Sequence, residues 1–276
     1  MNSLFRTFSV AASALLLMGT MARAQSSDPI NPPPTRKDWL ALSKLPDWSG
    51  VWTPDMIDQM KQVKTNVPPW TPAVAKQIEF LEAEEKAGRP FLVFKGCLPE
   101  SMPAWMLISH NAMEIMFTPG RVTMLGESDG NRLRRIYTDG RKHPDDPDLT
   151  FHGHSIGHWE GDTLVIDTVG IMPETFLAVS EAVGIPNNGD VHIVERIHLA
   201  GPGTLHDDLE ITAPHVLTKP WKTTRIFYRQ RKQKYDIVEG VCLEGSFKHT
   251  TDKNGNAILE PLAYDSQGTP VPNSAK

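Results

Sequence analysis

The chain has 276 residues, 39% of them hydrophobic and 22% charged, a globular composition with room for one large domain or two small ones. A formal net charge of −5 leaves no basic excess to displace counterions, which excludes a dedicated nucleic-acid binder. The only long apolar run is about half the length that a membrane span requires, so stable membrane insertion is not expected.

That run lies at the N-terminus. Arg6 precedes an apolar stretch from Phe8 to Met18, and Ala22-Arg23-Ala24 follow before Gln25. Charged, apolar, then small-x-small is the order of a secretory signal, so residues 1–24 read as a cleaved export peptide and the mature chain as periplasmic. No cysteine follows the small residues, so a lipid anchor is not indicated. Cleavage removes Arg6 and Arg23 and no acid, taking the net charge from −5 to −7. In an oxidising compartment the two cysteines, Cys97 and Cys242, favour a disulfide, and neither lies in a CxxC setting.

Residues 25–47 contain Pro29, Pro32, Pro33, Pro34 and Pro46 and read as an extended lead-in to one barrel domain over 48–252. One helix is predicted near 72–88. Thr71 can cap it, Pro72 suits its first position, Val74, Ile78 and Leu81 form its stripe, and Gly88 stops it. From Glu114 on, strands alternate with tight turns: Glu114–Thr118, Arg121–Leu125, Arg132–Thr138, Ser155–Glu160, Thr163–Val169, Val191–Leu199, Thr204–Thr212, Trp221–Arg229 and Tyr235–Leu243. No crossover helices are readable between them, so the prediction is mainly β, an antiparallel meander whose edges are hidden by closure into a barrel. Residues 253–276 read as a tail with little regular structure.

Strand alternation then sorts the side chains. Over Arg132–Thr138 one face carries Leu133, Arg135 and Tyr137 and the other Arg134, Ile136 and Thr138, so an arginine enters or rims the barrel whichever face is inside. Over Val191–Leu199 the more apolar face contains Glu195, which burial would penalise without a partner, and the opposite face carries His192. An Arg–Glu pair and a catalytic carboxylate both remain open for Glu195. The densest histidine cluster is His152, His154 and His158, which share a face if the segment is fully extended. A zinc site there is one reading. His154 as a lone acid–base group is the preferred one, because Gly153 and Gly157 disturb the alternation. Gly153-His154-Ser155-Ile156-Gly157 has the Gly-x-Ser-x-Gly spacing but opens a predicted strand with no helix after it, so it does not read as a nucleophile elbow; there is no phosphate loop or dinucleotide fingerprint, and no cofactor is indicated. Seven tryptophans, Trp159 among them, suit core packing or an aromatic ligand.

Several segments together resemble a large family of exported Gram-negative proteins. They are Pro46-Asp47-Trp48-Ser49-Gly50-Val51-Trp52, whose Gly-x-Trp is similar to the opening of lipocalin-type barrels, and Arg134-Arg135-Ile136-Tyr137-Thr138-Asp139-Gly140-Arg141. Cys97-Leu98-Pro99 with Met102-Pro103, Phe117-Thr118-Pro119-Gly120-Arg121-Val122, Gly153-His154-Ser155-Ile156-Gly157 with Trp159-Glu160-Gly161-Asp162-Thr163-Leu164-Val165, Val194-Glu195-Arg196, Thr218-Lys219-Pro220-Trp221 and Val241-Cys242 complete the set. Matches exist for Arg135, Tyr137, Asp139, His154 and His192, but not for His152 or His158. The family is similar to cofactor-independent enzymes acting on lignin-derived aromatic dimers, including decarboxylases of phenylcoumaran-type carboxylates. The resemblance implies a lyase for a hydrophobic aromatic carboxylate. Arg135 (or Arg134) would grip the carboxylate, His154, His192 or Tyr137 would move a proton, Asp139 or Glu195 would orient them, and Trp159 would line the site. The alternatives are a non-catalytic small-molecule-binding barrel and a zinc-dependent hydrolase using His152, His154 and His158.

Overall fold

The alternation becomes a closed barrel in the computed structural model of the chain, which describes residues 33–91, 93, 99–127, 132–231, 236–240, 247–251, 253, 257–261, 263–264 and 270–271. The expected export peptide over residues 1–24 and the expected Cys97–Cys242 disulfide lie outside these residues. The fold is mainly β. Its barrel strands are β1 (Val51–Pro54), β2 (Met113–Thr118), β3 (Arg121–Gly126), β4 (Leu133–Tyr137), β5 (His154–Glu160), β6 (Thr163–Val169), β9 (His192–Gly201), β10 (Thr204–Thr212) and β11 (Trp221–Gln230). A short hairpin of β7 (Phe176–Ala178) and β8 (Gly184–Pro186) is inserted between β6 and β9. Around the barrel the order is β1-β11-β10-β9-β6-β5-β4-β3-β2, closing on β1.

Three features depart from the simple meander. First, β4 and β5 run parallel, with Ile136 opposite Ser155 and Tyr137 opposite Ile156. A parallel pair needs a long return connection, and residues 138–153 supply it without a helix. Second, β11 does not form a hairpin with residues 236–240, the described part of the strand expected over Tyr235–Leu243. Residues 236–240 are not strand, and β11 instead takes β1 as its partner, Trp52 opposite Arg229. Third, two further two-stranded ribbons are present, β12 (Phe247–Thr251) with β13 (Ala257–Pro261) and β14 (Ala263–Tyr264) with β15 (Pro270–Val271), and β13, β14 and β15 lie in the region expected to be an irregular tail.

The predicted helix is α3 (Pro72–Lys86), capped by Thr71, with Val74 and Ile78 buried. Three more helices are present among the described residues. α1 (Arg36–Leu42) replaces part of the extended lead-in because Thr35 and Asp38 form a reciprocal capping box. α2 (Met56–Thr65) starts at the Asp55 cap, and α4 (Ala104–Ile108) is buried throughout.

These elements stopper the barrel at both ends. At the end where β1 begins, Trp48 packs on Phe117 and Trp159 with centroids 5.4 and 5.3 Å away. Trp52 is fully buried, donates its indole N–H to the Trp48 carbonyl, and carries the Arg229 guanidinium over its ring at 4.6 Å. At the opposite end Gln59 and Arg225 both donate to the Leu107 carbonyl of α4. Between the stoppers, inward residues such as Met124, Ile136, Leu164, Ile166, Ile193, Ile197 and Leu205 are buried and pack into one core. Among the described residues no helix is long and apolar enough to cross a membrane.

Candidate functional site

The barrel interior has a polar belt at its waist. Arg134 from β4 and Glu195 from β9, side chains 1% and 0% exposed, form a bidentate ion pair across the lumen. Arg134 also donates to Thr168 Oγ1 at 2.9 Å and to Ser155 Oγ at 3.2 Å, and these two hydroxyls lie 2.8 Å apart. Three strands, β5, β6 and β9, thus satisfy one guanidinium, as a buried charge requires. Glu195 and Arg134 are therefore structural partners, and neither is free to orient an acid–base group or to grip a substrate. The two residues were not on neighbouring strands, because β5 and β6 lie between them.

Beside this pair sits Asp207 of β10, fully buried. Burial, and then the charge of Glu195, push its carboxyl well above the usual range, against the pull of Arg134. Arg225, also buried, is lowered to about 10 by the same loss of water. A raised folded-state pKa means that the folded protein keeps a proton which the unfolded chain releases above about pH 4. Asp207 therefore contributes stability below that pH and loses it as the pH rises through its folded value. Asp207→Asn is expected to flatten this decline, so that denaturant midpoints of variant and parent diverge in the variant's favour as pH rises from acid to neutral. An unchanged pH slope would show that Asp207 is ionised in the fold.

The outward face of the same strands carries a different cluster. Because Arg134 and Ile136 point in, Leu133, Arg135 and Tyr137 point out. Because Ser155 points in, His154 points out. Arg135, Tyr137 and His154 line one open crevice of about 580 Å³, with Leu133, Phe151 and Pro144 among its apolar walls. The return connection, residues 138–153, forms one side of it. Gly153 lets that segment enter β5: its φ is +68°, and a Cβ there would stand 2.6 Å from the Val169 carbonyl oxygen.

The connection also delivers His143, which sequence reasoning missed. His143 Nδ1 lies 2.8 Å from His154 Nδ1, and His143 Nε2 lies 3.2 Å from Asp167 Oδ1. His192 Nε2 contacts the same Asp167 oxygen at 2.9 Å. His192 therefore does not line the crevice but reaches His154 through Asp167 and His143. Burial, the His143 ring and the Arg141 charge lower the pKa of His154, favouring its neutral form. Tyr137 stacks on His154 with centroids 5.4 Å apart, and Arg141 lies 3.9 Å from the Tyr137 centroid. Asp139 pairs with Arg141, so it orients Arg141 and not the histidines. The orienting carboxylate is Asp167. Its signal was available, since alternation along β6 sends Leu164, Ile166 and Thr168 inward and Asp167 outward on the strand next to His154.

The remaining assignments resolve plainly. Trp159 belongs to the aromatic stopper and not to the crevice. His152, His154 and His158 do not converge. His152 precedes β5, and its two ring nitrogens meet the Leu133 and Glu100 carbonyls, while His158 pairs with Glu160. Among the described residues no group of three His, Cys, Asp or Glu side chains is placed to hold a metal ion.

Fold and site together define a closed, side-chain-filled β-barrel with a hydrogen-bonded Asp–His–His chain opening onto a crevice in its outer wall. No protein-family model matches the chain, and no curated protein matches it.

Proposed function

We propose that this chain is an exported, cofactor-independent lyase that works in the periplasm on hydrophobic aromatic carboxylates, with phenylcoumaran-type dimers as the substrate class. The observation that carries the reading is the shared crevice: Arg135, Tyr137 and the base His154 line one space of about 580 Å³. That volume falls in the usual range of small-molecule sites, about 300–1,000 Å³. Arg135 offers two parallel N–H donors to a carboxylate. Leu133, Phe151 and Pro144 offer apolar contact to an aromatic ring. In the proposed step His154 removes the proton of a substrate phenol, the electrons of the bond to CO2 form a carbon–carbon double bond and expel an aryloxide, that aryloxide takes up the proton from His154, and the product leaves as the phenolate of the first phenol.

The test is CO2 release from a panel of phenylcoumaran-type carboxylates by the full mature chain. Turnover is expected for the wild type. Arg135→Met is expected to raise KM about 10–100-fold, the loss of a charge-assisted hydrogen bond, with a smaller effect on kcat. Binding without turnover across the panel would make the protein a carrier, and absence of binding would overturn the reading altogether.

A further inference from the structure

The hydrogen bonds around His154 fix more than its position. Asp167 Oδ1 faces both His143 Nε2 and His192 Nε2, and an ionised carboxylate only accepts, so each of those nitrogens carries its proton. A neutral His143 with a proton on Nε2 has a bare Nδ1. The 2.8 Å contact between the two Nδ1 atoms then requires His154 to donate from Nδ1. A neutral His154 that holds its proton on Nδ1 has a bare Nε2, which is a ready base.

We infer that His143, anchored by Asp167, is the positioning residue and proton store of His154, so that the site removes a proton and returns it within one cycle. The step balances without a co-reactant. A proton taken from the substrate by His154 Nε2 is matched by passage of the Nδ1 proton of His154 to Nδ1 of His143. His154 is then neutral with its proton on Nε2, and His143 is an imidazolium beside the Asp167 carboxylate. Reversal gives the proton back. The placement of the positive charge follows from the surroundings: Arg141 opposes charge on His154, whereas Asp167 receives it on His143. This inference rests on the lyase reading for its substrate and deepens it. A site that stores one proton suits an elimination in which a phenolic proton is removed and the leaving oxygen is protonated, the remaining phenolate of the product taking its proton from water after release.

The tautomers can be read with no substrate present. In two-bond proton–nitrogen spectra of the full mature chain at neutral pH, His154 is expected to show a protonated Nδ1 and a bare Nε2, and His143 the reverse. His143→Phe keeps a ring against His154 and removes the bond, and Asp167→Ala removes the anchor. Each is expected to return His154 to the Nε2-protonated form, while His192→Ala leaves it unchanged. An Nε2-protonated His154 in the wild type, or a His154 signature unmoved by either of the first two substitutions, would overturn the inference. Amide spectra show whether each variant is folded. Failure of the lyase reading is separate, because it appears as absence of CO2 release with the tautomers as stated.

Discussion

Arg134→Met is expected to destabilise the barrel by about 3–5 kcal/mol, the cost of leaving a buried charge without its partner. Glu195 would keep its place at 0% exposure without its guanidinium partner, beside Asp207, whose carboxyl its charge already pushes up. The remaining hydroxyls of Ser155 and Thr168 cannot replace a bidentate guanidinium. A second substitution distinguishes loss of the charge pair from loss of packing. Arg134→Met combined with Glu195→Leu removes both charges, and it is expected to recover most of the lost stability, since apolar pairs of similar volume often replace buried ion pairs without cost. Equilibrium unfolding in denaturant measures both. Equal destabilisation of the single and double variants would mean that volume, not charge, decides the outcome.

His154→Gln is expected to lower kcat for CO2 release by about 10²–10⁴-fold, the usual worth of a positioned general acid–base group. KM should change little, because Arg135 and the apolar walls of the crevice hold the ground state. Glutamine retains a hydrogen-bonding side chain of similar length next to His143 but cannot shuttle a proton. The fold should be unaffected, since His154 lies on the outer face, away from the core. Undiminished turnover in this variant would remove His154 from the chemistry and leave Tyr137 as the proton donor on the same wall.

Much of the architecture was legible because it depends on short-range rules. Gly161-Asp162 joins two strands as a tight turn, and Thr71-Pro72 starts a helix, because each is decided by residues adjacent in the chain. The faces of β4 and β9 were legible as alternatives, and burial of Glu195 was legible as a demand for a partner. Which arginine met that demand was not. Arg134 and Arg135 are neighbours on opposite faces, and only the register of the closed barrel turned Arg134 toward Glu195. The short helices were missed for a related reason: α4 has only five residues, too few for a periodic pattern.

The sequence by itself determined a β-rich chain with hairpin turns, a capped helix, and strands that each carry one apolar and one polar face, since period-two alternation and turn chemistry are local. The tertiary structure alone decided where the polar faces meet. The parallel pairing of β4 with β5 sends residues 138–153 back along the outside of a barrel whose interior is already full, and that return lays His143 between His154 and Asp167. Neither the direction of a strand pair nor the path of an irregular connection is encoded in nearby residues, because both are settled by the closure of the whole sheet.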